Sequence, residues 1–413
     1  MATAHELRRW LVHGLRLGAA GVTAARQGRT GVGDARPLPS GTVLAETALL
    51  CRVAGRLLAD EPCLARLEGI GAAQARLGGA LTRALDPQRA ALLVAADPRE
   101  RVRDVVPFAL LGDLDTGHRA VARRLLDQGL DACPSEQSGA PDRLELGWLH
   151  GLVAGSAAAP PLPPGSVLEV GADLLPGDLA DAHGLTRAVL HATDTGLAAP
   201  RTSRPAVAVT ADAEALLGAA LAAADLDVAA ELLWTWPMLG LPVTPGARYA
   251  LGEVARAEES HGFLPGAGYD PAVAAGLPST ERSTYVIQTS CHTAVVGGVL
   301  AAALLRAGAP ASARPRTTPR DVTADPLPAL RLADGPWAER LRDAVPAARA
   351  ACTPLLLGAE LRTAAAHRDP DRVHDVVAWA ADHGWAHLPS VRQGAALLAA
   401  IARASAEPAT LAS

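Results

Sequence analysis

Lysine and asparagine occur nowhere in this 413-residue sequence. Their absence excludes a lysine Schiff base with pyridoxal phosphate or a carbonyl substrate, a P-loop of the form G-x-x-x-x-G-K-[ST], and a protein-kinase site with its strand lysine and catalytic-loop asparagine. All 38 basic residues are therefore arginine, a bias that a very G+C-rich coding sequence produces. Aromatic rings are also scarce, with two Phe, three Tyr and seven Trp. The apolar share is carried by Ala, Leu and Val, which favours close-packed helices over sheets. The five cysteines (Cys51, Cys63, Cys133, Cys291 and Cys352) make no C-x-x-C pair. An odd count with no secretory signal reads as reduced thiols in the cytoplasm. No run of eighteen uninterrupted apolar residues occurs, so a membrane partner is not expected. A net charge of -5 without a basic, aromatic-interleaved run argues against nucleic acid.

Helical periodicity runs through most of the chain. Residues 5–26 and 43–59 have helical spacing, the second with a stripe of Leu49, Leu50, Val53, Leu57 and Leu58. Residues 64–84 and 99–130 continue the pattern, and the segments 132–142 and 157–165 interrupt it with Pro, Gly and Ser. These breaks divide the chain into an N-terminal helical region, 1–150, and a C-terminal helical-hairpin region, 151–413. In the latter, 213–239, 248–260, 283–307, 336–368, 371–384 and 389–406 read as helices. Residues 261–278 read as a Gly/Pro loop and 310–328 as a surface linker. Residues 206–210, AVAVT, form the one strand-like run of note. Three acid pairs, Asp113/Asp115, Asp225/Asp227 and Asp369/Asp371, each precede an apolar helix and read as helix caps, with Pro370 suited to a first helical position. The expectation is an all-α fold of helical hairpins, arranged as an α/α toroid or part of one.

Two stretches place polar groups inside apolar helical sequence, where each must find a partner or cost several kcal/mol. They are residues 185–196, LTRAVLHATDTG, and 285–293, YVIQTSCHT. His191 and Asp194 lie three apart on one helical face and could serve as base and orienter. Equally, Asp194-Thr195-Gly196 could be a C-terminal turn with glycine past the helix end. Cys291 and His292, with His191, Asp194 or Cys352, could supply three zinc ligands. Adjacent helical residues point about 100° apart, so that set needs a helix end between them. Otherwise Cys291 is a small core hydrophobe and His292 a hydrogen-bonded core group. No cofactor is expected, and at most substoichiometric zinc. Trp234, Trp236, Phe263, Tyr269 and Tyr285 could line an apolar cavity or pack a core.

The segment 185–196 resembles the L-T-H-x-x-x-Y-x-T-D-x-G signature of an uncharacterised helical family from bacterial specialised-metabolite gene clusters, whose members also carry a later H-T element, here His292-Thr293. Arg187 stands where that family has His, and His191 where it has Tyr or Phe. Cys291-His292 also resembles, more weakly, the zinc element of the α/α-toroid lanthionine cyclases, although their W-C-x-G element is missing. These resemblances imply a tailoring enzyme of bacterial specialised metabolism, performing cyclase, lyase or isomerase chemistry on an apolar or peptide-derived substrate. His191 would transfer protons, oriented by Asp194, with His292 as a second acid-base group and Tyr285 or Arg187 as anion partner. Arg187, if buried, needs a carboxylate, with Asp194 and Glu214 the simplest. The rival is a noncatalytic helical scaffold that binds a peptide or partner enzyme. Self-association stays open.

Overall fold

The computed structural model describes residues 2–27, 40–85, 98–112, 116–130, 139–156, 159–175, 179–308, 330 and 336–406. Among these the chain is all-α, with no strand. The longer helices are α1 (Ala4–Arg26), α2 (Ser40–Asp60), α3 (Ile70–Ala84), α4 (Pro98–Leu111), α5 (Thr116–Leu130), α6 (Ala140–Ala154) and α7 (Ala180–Ala192). They continue as α8 (Ala206–Ala222), α9 (Leu226–Leu233), α10 (Pro245–His261), α11 (Ser279–Arg306), α12 (Thr353–Ala366), α13 (Pro370–Asp382) and α14 (Pro389–Ala406). The pair Asp113/Asp115 and the linker 310–328 lie outside the described residues.

Local chemistry explains many of the helix ends. Thr3 and Glu6 form a reciprocal capping box at the start of α1. Asp225 accepts from the Val228 amide at 3.1 Å to open α9, and Asp369 accepts from the Arg372 amide at 2.9 Å to open α13, with Pro370 in the first turn. Residues 206–210 form the first turn of α8 rather than a strand. Pro205 stands immediately before them, and the alternation of Ala and Val is absorbed by a helix that buries Val209 and exposes Val207. The loop expected over 261–278 contains one helical stretch, Pro271–Gly276, capped by Asp270.

The tightest packing joins helices far apart in the chain. α1 lies along α11, and α8 along α12. Small residues make both crossings close. A Cβ on Gly14 would come within 2.6 Å of the Ala294 carbonyl oxygen, and one on Gly21 within 2.5 Å of the Cys291 sulfur. Gly218 and Gly358 likewise meet the backbones of α12 and α8. The alanine- and glycine-rich composition thus lets backbones approach where larger side chains would hold them apart. One buried cluster runs from Ala2 to Val391 and draws on both halves of the chain. By length and composition α11 could cross a membrane, but 72% of its most apolar window is buried inside the fold.

Candidate functional site

α2, α4, α6, α7, α9 and α11 enclose a cavity of about 320 Å3. Its walls are largely apolar, built from Ala45, Leu49, Val106, Leu110, Leu190, Val295, Val296 and Val299 with the rings of Trp148 and Trp234. The charged or polar groups that reach it are Glu46, Glu145, Arg187, His191, Glu231 and His292. A few polar side chains on an apolar cavity wall are the usual composition of a small-molecule site.

His292 is clamped from both sides. Its Nδ1 lies 2.7 Å from Glu46 Oε2 on α2, and its Nε2 lies 2.8 Å from Asp227 Oδ2 in the first turn of α9. Burial works against charge on the ring, but the Asp227 and Glu46 carboxylates on either side outweigh it and lift the imidazole to about 11. One turn after Asp227, Glu231 accepts from Thr186 Oγ1 at 2.8 Å and pairs with His183 Nδ1 at 3.2 Å, both through Oε2. The same contact raises the affinity of His183 for its proton, against its partial burial.

His191 reaches the same cavity from α7. Its ring stacks on Trp148 with centroids 4.7 Å apart. Complete burial, aided by the positive charge of Arg187, pushes its pKa down to about 3. His191, expected to carry protons, is therefore a neutral ring in the cavity wall.

Asp194 does not orient His191. Its Oδ1 accepts from Trp148 Nε1 at 2.7 Å and from Arg52 Nη1 at 2.9 Å, and its Oδ2 accepts from Arg52 Nη2 at 3.0 Å. Of the two readings, the turn is the one built. Asp194, Thr195 and Gly196 all have positive φ (45°, 61° and 83°), and the Thr195 amide bonds back to the Leu190 carbonyl. Two consecutive non-glycine residues in the left-handed region are strained. The Arg52 fork, Trp148, and an Arg306 bond to the Thr195 carbonyl hold them there. At Gly196 a Cβ would lie 2.6 Å from Arg306 and 3.0 Å from the Met238 backbone, so glycine is required. Asp194 influences His191 only through the Trp148 ring on which the imidazole lies.

Other expectations are corrected by what surrounds the residues. Arg187 is half-exposed at the cavity rim and pairs with Glu145 at 2.5 Å, not with Asp194 or Glu214, because α6 brings that carboxylate closer. Tyr285 is not among the cavity-lining residues. Its hydroxyl accepts from the Asp270 amide and donates to the Gly268 carbonyl, pinning the loop before α11. Phe263, Tyr269 and Tyr285 pack with His261 as a separate ring cluster. Cys291 and His292 cannot share an ion, because α11 runs unbroken through them. The thiol faces the Leu17 carbonyl on α1, and burial pushes it up to about 12. Cys352 is elsewhere, beside Pro245.

Glu214 is buried on α8 near Thr244 and Gly246. Burial raises its carboxyl to about 7, and hydrogen bonding to Thr244 and the Gly246 backbone offsets only part of that rise. An acid whose folded pKa lies above its unfolded 4.5 stabilises the fold below that value. The contribution falls away as pH rises through about 7. Urea titrations should show Glu214→Gln gaining about 3 kcal/mol on wild type between pH 4 and pH 8, at ~1.4 kcal/mol per pKa unit. A difference that does not vary with pH would contradict the assignment.

Glu46, Asp227 and Glu231 were not legible as site residues. Glu46 and Glu231 each interrupt an apolar helix, in LAETALL and AAELLW. The argument that singled out the histidines applied equally to them. Asp227 was read as part of a capping pair, whereas Asp225 alone makes the cap.

Residues 22–302 match the family described as Domain of unknown function (DUF6895). The chain belongs to this family. Every residue lining the cavity, from Thr42 to Val299, falls inside the matched DUF6895 span, as do Arg52, Asp194 and Asp227. Searches of curated proteins and of solved structures each found no match.

Proposed function

We propose that this DUF6895 chain is an enzyme of cyclase, lyase or isomerase type, performing acid-base chemistry on a small apolar or peptide-derived substrate in bacterial specialised metabolism. One observation carries the reading: an imidazole held between two carboxylates opens onto a largely apolar cavity of about 320 Å3. A structural ion pair has no need of a cavity beside it, whereas a proton-transfer group must reach its substrate. The volume is at the low end for ligand sites, which run from about 300 to 1,000 Å3. A peptide-derived substrate would therefore enter by one side chain or one terminus.

In this reading His292 and its flanking carboxylates deliver and remove protons. The apolar wall and the stack of Trp148 with His191 fix the substrate and exclude water. Arg187, half-exposed and held by Glu145 at the rim, meets an anionic group on the incoming substrate. Turnover of a metabolite extract in D2O tests the proposal. Wild-type protein should convert one compound into another of equal mass, or one lighter by a small leaving molecule, with deuterium incorporated from solvent. Asp227→Asn and Glu46→Gln should reduce that conversion about 10²–10⁴-fold while remaining folded, the usual effect of removing a positioned proton-transfer group. Binding without conversion would favour the scaffold.

A further inference from the structure

We infer that the cluster of Asp227, Glu231 and His292, of which Glu231 and His292 line the cavity and Asp227 stands behind them, is a binding site for a divalent first-row metal ion, with Glu46 as the carboxylate that orients the histidine ligand. The inference revises the catalytic reading in one respect, since with an ion on Nε2 His292 would be a ligand and proton transfer would fall to the flanking carboxylates; it rests on that reading only for what the ion would do, and binding is tested on its own.

The geometry comes first. One ligand atom from each of Asp227, Glu231 and His292 lies within 4.8 Å of the others. Ligands sharing one ion at about 2.1 Å stand roughly 3–4 Å apart, so atoms within 4.8 Å of one another close by less than about 2 Å on loading. Asp227 and Glu231 sit four apart on α9, which puts both carboxylates on one face, toward the His292 face of α11.

The surroundings have the organisation that metal ligands receive. A metal-bound imidazole characteristically donates its other N–H to a carboxylate, which fixes tautomer and ring orientation. His292 has the two carboxylates in place: Nε2 faces Asp227 Oδ2 at 2.8 Å, and Nδ1 lies 2.7 Å from Glu46 Oε2, paired by charge but not aligned as a hydrogen bond until the ring turns slightly. Glu231 is braced in turn through Oε2 by Thr186 and His183. Asp227 Oδ1 is a buried oxygen with no hydrogen-bond partner. Such an oxygen is costly to leave unsatisfied, and a cation beside it removes that cost.

Three protein ligands, two of them on the cavity wall, leave positions open for water or substrate, the pattern of catalytic rather than structural ions. One nitrogen and two carboxylates suit Mn2+, Fe2+ or Zn2+ better than a soft, thiolate-seeking ion. Binding exchanges the proton on Nε2 for the ion, and that proton leaves to solvent. The ligand set shares only His292 with the Cys291-His292 pair considered from the sequence.

The test uses the full chain, stripped with chelator and then titrated with Mn2+ alone and Zn2+ alone. Mn2+ is followed by loss of the free-ion electron paramagnetic resonance signal, and Zn2+ by calorimetry. The expected result is one equivalent bound at micromolar affinity or tighter, with 14N imidazole coupling in the electron spin-echo envelope of the Mn2+ form. Asp227→Asn and Glu231→Gln should weaken binding at least 100-fold, and Glu46→Gln about 10–100-fold, the range for an outer carboxylate. Asp375→Asn, exposed on α13 away from the cavity, should leave it unchanged. Wild-type protein that binds neither ion, or binds without imidazole coupling, would overturn the inference whether or not the variants fold. Conversion of metabolites by metal-stripped protein at the full rate would leave the catalytic reading standing and refute the ion's part in it. Tight, variant-sensitive binding without any conversion would do the reverse.

Discussion

Asp194→Ala is expected to destabilise the fold by about 3–5 kcal/mol, the cost of removing one partner from a buried ion pair. The Arg52 side chain is only 3% exposed, and Asp194 receives its fork on both oxygens. The same carboxylate takes the Trp148 indole N–H and sits in a left-handed turn that the backbone alone does not favour. Substitution by Ala therefore removes three hydrogen bonds and the clamp on a strained segment together. Asp194→Asn keeps one acceptor for Trp148 and should lose less. Guanidinium unfolding gives the stability, and tryptophan fluorescence should report a loosened Trp148 before the main transition. A loss below 1 kcal/mol for the alanine variant would mean that other groups hold the turn.

Gly14→Ala is the second substitution expected to have a large effect, and its sign runs against local preference. Alanine in the middle of a helix is ordinarily better than glycine by about 1 kcal/mol. At Gly14 the added methyl would meet the Ala294 carbonyl at 2.6 Å and the Gly298 Cα at 3.0 Å, and neither obstacle is a side chain that can rotate away. The expected outcome is a net loss of about 2–3 kcal/mol from overpacking. Gly79→Ala on α3 is the control. Its methyl meets only the end of Arg83 at 3.4 Å, so it should be neutral or stabilising by up to about 1 kcal/mol. Parallel urea titrations decide the comparison. Equal effects at the two positions would show that α1 and α11 can separate without loss.

The all-α architecture was legible because apolar spacing and caps are local, but 99–130 is two helices and 213–239 and 336–368 are three each, their short interruptions hidden by continuous apolar spacing. Asp225 and Asp369 mark their helix starts in the sequence as they do in three dimensions. Of the polar residues embedded in α7 and α11, His191 and His292 line one cavity. What escaped was every relation that depends on a helix distant in the chain. Arg52 meets Asp194 across 142 positions, and no periodicity announces it. Arg187 pairs with Glu145 because of how α6 crosses α7. Residues 206–210 misled because Ala/Val alternation suits a strand, while the preceding Pro205 and the long apolar continuation suit a helix. Asp227 was hidden by a sound local explanation that applied to its neighbour, Asp225.

The contact between α1 and α11 bears on where this protein's folding unit begins. The DUF6895 match starts at residue 22, near the end of α1. Yet the glycines by which α1 seats on the long apolar α11, Gly14, Gly18 and Gly21, all precede that limit. A fragment trimmed to the family's boundaries would strip the greasiest helix of its longest cover and leave it to seek another chain or a lipid surface. The segment that recurs among relatives is thus narrower than the segment that shields itself from water.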